Sequence, residues 1–217
     1  MNIFVLDYTP AVAAEAHCDK HVVKMVLETA QLLCTCHRIC GSEFADELYK
    51  PTHVNHPCSK WLRESTENYH WTSDLFFWLL QEYYYRFDKE HACARLLPLI
   101  EKPPEELDIA DATDFALAMP DEYKEYGDPV ECYRQYYAWE KSRLLYYTGR
   151  TPPDWLSSLT QVSYRESSLE DFEILPDEQD SSESEPDAPS DQNAWPSKDD
   201  WQSKDDASES SENFFFQ

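Results

Sequence analysis

Residues 9–41 read TPAVAAEAHCDKHVVKMVLETAQLLCTCHRICG, and this stretch decides the fold. Thr9 is suited to cap a helix, and Pro10 to occupy its first position, where no backbone hydrogen bond is lost. Apolar residues cover most of the helix circumference from there to Gly41, which is suited to end the helix. We therefore predict a central bundle helix over residues 10–40, about 45 Å long and thus long enough to break near His17.

The rest of the first 158 residues continues this helical periodicity. Aromatic and aliphatic residues recur at helical spacing over residues 59–87, and shorter helices are predicted over 91–100, 113–119 and 129–147. Residues 2–6 (NIFVL) should be extended and buried, and residues 48–57 (LYKPTHVNHP) should form an ordered loop. We predict an all-α fold, with a single compact bundle of about five helices in residues 1–158.

Acidic charge divides the chain into two parts. Residues 1–160 carry 15 Lys and Arg against 26 Asp and Glu, and residues 161–217 carry 3 against 17. The second part is too polar to bury a core, and we predict an acidic, disordered tail over residues 159–217. This tail either solubilises the protein, docks a protein partner through Trp195, Trp201 and residues 214–216 (FFF), or inhibits the protein by occupying a basic groove.

Cysteine usage and the absence of several motifs narrow the class of protein. Seven cysteines, an odd number without a CxxC pair, are typical of free thiols in a reducing compartment. The sequence has no leader peptide pattern and no apolar run long enough to span a membrane, so we expect a cytoplasmic protein without a membrane partner. Motifs of the types GxxxxGK[ST], GxGxxG and GxSxG are absent, which disfavours nucleotide hydrolysis, Rossmann chemistry and α/β-hydrolase chemistry. We expect no cofactor.

Six polar residues of the central helix share one arc of about 80° on its surface. They are His17, His21, Lys24, Glu28, Gln31 and Thr35. This polar stripe is either the solvent face of a mostly buried helix or the lining of a cleft. In a cleft, Lys24 and Glu28 at positions i and i+4 would share a proton, and Glu28 would act as a general acid or base. His17 and His21 would titrate near neutral pH.

The polar loop and the turn after it display basic, imidazole and amide side chains close together: Lys50, His53, Asn55, His56, Lys60 and Arg63. Polar loop residues often serve binding sites, and this set favours an anionic ligand, while a hydrogen-bonded structural loop is the alternative. The two loop histidines and the two histidines of the stripe also suit a metal site. No HExxH, Cys pair or DxD motif accompanies them, and we expect no metal.

Arginines alternate with aromatic residues in two further places, at residues 83–86 (YYYR) and 133–141 (YRQYYAWEK). Flat rings beside guanidinium groups suit stacked bases and phosphates, and Tyr133 is a candidate for such a contact, although aromatic helices also form cores. Because the chain is acidic overall, DNA binding requires a local basic groove. The candidate cations for this groove are Lys24, Lys50, Arg63, Arg86 and Arg134.

These patterns together resemble a small all-helical family of tailed-phage and bacterial genomes, whose members mostly have no assigned function. The resemblance covers nearly all of residues 1–158 and none of the tail. It implies a helical fold and, if the protein is phage-encoded, a location in the host cytoplasm. It rests on Leu6, Asp7, AEAHCDKHVVKM at 14–25, Glu28, QLL at 31–33, LYKPTH at 48–53, NHP at 55–57, Trp61, Arg63, Asn68, Tyr69, Phe115, AMP at 118–120 and YRQYY at 133–137. Among these residues, Asp19 and Asn68 are further candidates for substrate binding.

A second resemblance covers residues 19–28. DKHVVKMVLE is similar to the first-helix segment of the phage pyrimidine-dimer DNA glycosylases, in which Asp-x-His precedes the catalytic glutamate at the same spacing. It implies that Glu28 is the acid/base residue of a lyase-type base-excision enzyme that takes a nucleotide out of the duplex. In those enzymes the nucleophile is the amine of a threonine exposed by loss of the initiator Met. Here Asn2 is large enough to leave Met1 in place, so the imine chemistry requires another amine, for which Lys24 or Lys20 is the local candidate.

The leading hypothesis is a phage-type enzyme that acts on bases in DNA, with a glycosylase/lyase-like repair or base-processing activity. Glu28 is its predicted acid/base, Lys24 its charged partner or nucleophile, and His17 and His21 orient or protonate the substrate. The residues predicted to hold phosphates or base edges are Lys50, His53, Asn55, His56, Arg63, Arg86 and Arg134.

Three alternatives remain open at the level of sequence. One is DNA base hypermodification, in which an amine or amino acid is transferred onto an activated thymine methyl group while Lys and His residues hold a leaving phosphate. Another is a non-enzymatic acidic interaction protein that binds a host factor through its tail. The third is a metal-dependent hydrolase.

Overall fold

The computed structural model describes residues 1–159, which form an all-α structure without a β-strand in that part of the chain. The α-helices of this part are α1 (Pro10–Ala16), α2 (Asp19–Cys40), α3 (Pro57–Leu62), α4 (Thr66–Phe87), α5 (Leu97–Ile100), α6 (Pro129–Glu140) and α7 (Asp154–Leu159). Short 3₁₀ helices lie at Ala45–Glu47, Ala92–Leu96, Asp121–Tyr126 and Ser142–Leu144. The predicted all-α class is confirmed. None of the helices between residues 1 and 159 is long and apolar enough to cross a membrane.

Helices α2 and α4, each of 22 residues, pack against each other, and α1 packs against α4. The core between the helices contains large aromatic side chains that are at most 2% exposed, among them Trp61, Tyr69 and Tyr137. Residues 2–6 are buried, as the apolar run predicts, so the N-terminal segment is itself part of the core. All seven cysteines are free, and every one except the half-buried Cys40 is buried.

The predicted central helix is broken after Ala16, where His17 and Cys18 adopt extended backbone between α1 and α2. Pro10 lies in the first turn of α1, and Gly41 ends α2 in the left-handed conformation with φ of 81°, both as predicted. Thr9 does not cap α1 with its side chain. At the break, the backbone N–H of Cys18 donates a 2.9 Å hydrogen bond to the hydroxyl of Tyr137 on α6, so α6 supplies the partner that the helix gives up.

The prediction of a helix over residues 113–119 is wrong, because the backbone of this segment is not helical. Side chains from elsewhere bind its backbone groups instead. Asn68 accepts from the N–H of Thr113 (3.0 Å), Tyr133 donates to the carbonyl of Ala116 (2.7 Å), and Asn2 donates to the carbonyl of Ala118 (2.8 Å). Hydrogen bonds to distant side chains therefore replace those that a helix would have made.

Other predicted boundaries also shift. Residues 59–87 contain two helices, α3 and α4, because Ser65 accepts a hydrogen bond from the N–H of Asn68 and starts a new helix. The helix predicted to reach residue 147 ends at Glu140. Helix α7 was not predicted, and its last residue, Leu159, was assigned to the tail but packs against the core. Residues 160–217, which include the rest of the predicted tail, lie outside the described residues.

Candidate functional site

Three nitrogen atoms meet the carboxylate of Glu28, which lies in the middle of α2 and is 9% exposed. The backbone N–H of Asn2 donates a 2.8 Å hydrogen bond to Oε2, and the α-amino nitrogen of Met1 lies 3.7 Å from the same oxygen. Nζ of Lys24 lies 3.3 Å from Oε1. The side chain of Met1 is 2% exposed, whereas that of Lys24 is 67% exposed. Glu28 therefore lies between the amine of a residue packed into the fold and the amine of a solvent-exposed lysine.

The sequence predicted Lys24 or Lys20 as the reactive amine, and the structure adds the α-amine of Met1. Lys20 is exposed on α2, two helical turns before Glu28, whereas the amine of Met1 is in contact with the carboxylate. The only signal in the sequence was the apolar run at residues 2–6, which predicts that the start of the chain is buried. That this start lies against Glu28 is a long-range contact, which local patterns do not encode.

The N-terminal segment is held in place on both sides of Ile3. Asn2 is 8% exposed, and its side-chain amide donates to the carbonyl of Ala118. Phe4 has a φ of 37°, which is an outlier for a bulky residue and costs on the order of 1–3 kcal/mol. Its ring stacks on His21, with centroids 4.9 Å apart, and lies nearly parallel to the ring of Tyr136 at 6.1 Å. Aromatic contacts of this kind contribute about 0.5–1.5 kcal/mol each, which acts against the backbone strain.

His21 faces this segment and is 6% exposed. The hydroxyl of Tyr137 accepts from the N–H of Cys18 and lies 2.7 Å from Nδ1 of His21, so we assign the hydroxyl proton to that hydrogen bond. Burial, His17, Lys141 and Lys24 together lower the pKa of His21 to about 3. His21 is therefore neutral at pH 7, with its remaining ring proton on Nε2.

His17 is completely buried. Its Nδ1 lies 2.6 Å from the carbonyl of Ala13, to which it donates, and its Nε2 has no partner. Burial lowers the pKa of His17 to about 4. His17 has no surface exposed to solvent, so it does not contact a substrate directly.

One histidine of the polar loop, His56, lies near Glu28 from outside α2, and His53 lies near His56. His56 caps α3, its Nδ1 accepting a 3.3 Å hydrogen bond from the N–H of Cys58. Burial lowers the pKa of His56, the positive charge of the Met1 amine and of His53 lowers it further, and Glu28 acts in the opposite direction. His53 is exposed, with its Nδ1 2.7 Å from the hydroxyl of Thr52. The structure thus brings His56 near Glu28, while Lys50, His53 and Asn55 are exposed in the same loop.

Asp19 and Arg86, both predicted to bind substrate, lie instead in a buried ion network. Arg86 donates to Asp19 (2.9 Å) and to Glu82 (2.7 Å), and the side chains of Arg86 and Asp19 are 0% and 1% exposed. Asp19 also accepts from the N–H (2.9 Å) and the hydroxyl (2.8 Å) of Thr148, and Arg150 pairs with Glu82 (2.8 Å). This network ties the chain after α6 to α2 and α4, and neither residue is exposed to a ligand.

Four other predicted binding residues hold the fold together. Arg63 donates to the carbonyl of Val54 (2.8 Å) and thereby braces the polar loop. Arg134 pairs with Asp7 (3.0 Å) and is half-buried. Asn68 and Tyr133 are fully buried, where both bind the backbone of residues 113–118. Of the predicted set, Lys24 and His56 lie near Glu28, and His21 packs on Phe4 of the N-terminal segment that carries the Met1 amine.

Metal-ligand geometry is absent from the described range, residues 1–159, where no three His, Cys, Asp or Glu side chains lie close enough together to hold an ion. The chemistry that the site does offer is that of an amine beside a carboxylate. A neutral amine is a nucleophile toward an electrophilic carbon, and an adjacent carboxylate can take and return the protons involved.

Comparisons of the chain with models of protein families, with curated proteins and with solved structures give no match. The two resemblances described above therefore rest on the residues of this sequence alone.

Proposed function

We propose that the protein is a DNA glycosylase/lyase-like enzyme of phage type, in which an amine beside Glu28 forms an imine with the deoxyribose of an extruded nucleotide. The observation that carries the proposal is the α-amine of Met1, 3.7 Å from Oε2 of Glu28. Imine formation requires a neutral amine. The Met1 side chain packs into the fold and holds the α-amine at the carboxylate, whereas the amine of Lys24 ends a side chain that is 67% exposed. This favours residue 1 over Lys24 as the nucleophile.

The reaction uses Glu28 first as a base, then as an acid, and then again as a base. The neutral amine attacks C1′ of the nucleotide, and the glycosidic bond breaks with its electron pair leaving on the base, which takes a proton from water. The Glu28 carboxylate takes a proton from the attached nitrogen. It returns this proton to O4′ as the sugar ring opens, which leaves a protonated imine at C1′.

Cleavage of the strand follows from the same pair of groups. The carboxylate of Glu28 takes a proton from C2′, and the bond from C3′ to oxygen breaks with its electron pair leaving on the 3′ phosphate. Water then adds to the imine carbon and releases the amine, and Glu28 and the amine give up their extra protons to solvent, where the base had taken one, so that the enzyme is regenerated.

The surroundings of Glu28 suit an anionic substrate. Lys24 is exposed beside the carboxylate, and His56, which also lies near it, belongs to the loop that displays Lys50, His53 and Asn55 to solvent. An acidic chain with a net charge of −25 can bind DNA only through such a local set of cationic and hydrogen-bonding groups. Lys24 and this loop are therefore the proposed phosphate contacts.

Borohydride trapping tests the proposal, because the reductant delivers hydride to an imine carbon and turns a transient adduct into a stable secondary amine. The substrates are oligonucleotides that carry an abasic site or a pyrimidine dimer, and intact mass first establishes which residue bears the free α-amine. We expect a trapped adduct whose peptide map places the bond at residue 1. A complete absence of adduct and of base release with every oligonucleotide would overturn the proposal, as would transfer of an amine onto thymine.

A further inference from the structure

Every polar group of the Asn2 side chain has a partner within the fold. Nδ2 donates to the carbonyl of Ala118 at 2.8 Å. Oδ1 accepts from the N–H of Ile3 at 2.8 Å, and it lies 3.2 Å from the hydroxyl of Tyr133 and 3.7 Å from Sγ of Cys58. These partners come from four separate parts of the chain, so the amide holds residue 2 in one position and one orientation.

The backbone of the same residue contacts the site. Its N–H donates to Oε2 of Glu28 at 2.8 Å, and the α-amine of Met1 lies 3.7 Å from that oxygen. Residue 1 is joined to Asn2 by one peptide bond, and its own side chain packs against the core. The position of the α-amine therefore follows from how the side chain of Asn2 is held.

We infer that Asn2 is a positioning residue, whose buried side-chain amide keeps the α-amine of residue 1 against Glu28 without itself touching the reacting atoms. What this amine does rests on the proposed function. The position requires both an acceptor, toward the N–H of Ile3, and a donor, toward the carbonyl of Ala118. Ionised aspartate has the same shape but only acceptors, and leucine has a similar size but neither group.

Asn2→Leu and Asn2→Asp in the full-length protein test this inference. Both replacement side chains are large enough to leave Met1 in place, which intact mass verifies, whereas Ala or Ser would invite loss of Met1 and move the amine by one residue. Displacing a reacting group by about 1 Å costs about 100-fold in rate. We expect kcat for adduct formation on an abasic-site oligonucleotide to fall about 100-fold, with KM unchanged because the DNA contacts lie elsewhere.

The matched control is Thr113→Val, which removes hydrogen bonds of the same 113–118 segment to Asn68 and Glu64 but leaves the contacts of Asn2. We expect this control to lower the amount of folded enzyme and to leave kcat per folded molecule at the wild-type value. If Asn2 has only a structural role, its variants should behave in the same way. The fraction of folded protein is measured by circular dichroism for each variant.

A second readout does not depend on catalysis. The rate at which acetic anhydride labels the α-amine at fixed pH, without DNA, should rise several-fold in Asn2→Leu, because the amine leaves its place beside Glu28. If wild-type protein forms no adduct, the proposed function fails while the labelling still tests Asn2. If Asn2→Leu retains Met1 and has both wild-type kcat and wild-type labelling, the inference is overturned while the lyase proposal stands.

Discussion

The backbone N–H of Asn2 donates a 2.8 Å hydrogen bond to Oε2 of Glu28, although the two residues are 26 positions apart. This bond determines which carboxylate oxygen faces residue 1 and leaves Oε1 to Lys24, 3.3 Å away. Glu28 is thus oriented by the main chain rather than by a side chain that titrates. Such an arrangement keeps the carboxylate in place while it exchanges protons with a substrate.

Glu28→Gln is expected to reduce adduct formation by at least about 100-fold, since general acid–base catalysis contributes about 10²–10⁴-fold. Glutamine retains an acceptor for the N–H of Asn2, so helical circular dichroism should be unchanged. Glu67→Gln, an exposed change on α4, is the control. Wild-type activity in Glu28→Gln would exclude Glu28 as the acid/base.

Lys24→Met separates the two amines beside Glu28. Because Lys24 is mostly exposed, its loss should change the free energy of unfolding by no more than about 0.5 kcal/mol. We expect the trapped adduct to persist at residue 1, with weaker DNA binding and a salt dependence reduced by about one phosphate contact. A variant that binds DNA but forms no adduct would instead identify Lys24 as the nucleophile.

Arg86→Met is expected to destabilise the fold by about 3–5 kcal/mol, because it leaves the buried carboxylates of Asp19 and Glu82 without their main cation. Urea denaturation measures the loss, with the exposed Arg143→Met as control. The folded fraction should bind DNA with wild-type affinity and salt dependence. Stability within about 1 kcal/mol of wild type, together with weaker DNA binding, would restore Arg86 as a ligand contact.

The free energy of unfolding should fall as the pH drops below about 6.5. Burial holds the pKa of His17 at about 4 and that of His21 at about 3, whereas both titrate near 6.5 in an unfolded chain. Between those values the unfolded state binds protons that the folded state does not, and the two histidines together contribute a slope approaching about 2.7 kcal/mol per pH unit. Burial lowers the pKa values of His37 and His56 too, which acts in the same direction.

Thermal and urea unfolding between pH 7.5 and 5.5 measure this slope before most carboxylates begin to titrate. His17→Leu should make the slope shallower, because one of the two buried imidazoles is gone. The exposed His70→Asn should leave it unchanged. An equal slope in wild type and His17→Leu would show that this imidazole is not buried in its neutral form.

Deletion of residues 160–217 removes 17 acidic and 3 basic residues and leaves all seven helices described above. We expect adduct formation on the oligonucleotide to be retained, and to be faster at low salt because less negative charge opposes DNA. Truncation with retained helical structure but without any adduct would show that the tail takes part in the reaction. An interaction protein would instead lose a host partner and show no turnover in either form.

How far the sequence predicts this protein depends on the range of the interactions involved. The end of α2 at Gly41 and the burial of residues 2–6 followed from patterns a few residues long, and a break near His17 was expected from the length of the predicted helix. Residues 113–119 were predicted as a helix because nothing local shows that Asn68, Tyr133 and Asn2 bind their backbone. For the same reason Arg86 looked like a DNA contact, when its partner is a carboxylate 67 positions away.

By itself, the sequence determined the helical class and the approximate helices, because helix periodicity and capping are properties of neighbouring residues. Only the tertiary structure decided which other groups each residue of the polar stripe contacts. It buried His17, stacked His21 on Phe4, and brought the amine of Met1 to within 3.7 Å of Glu28. That contact depends on the packing of the N-terminal segment against α2, α6 and residues 113–119 together, and no local stretch of the chain contains it.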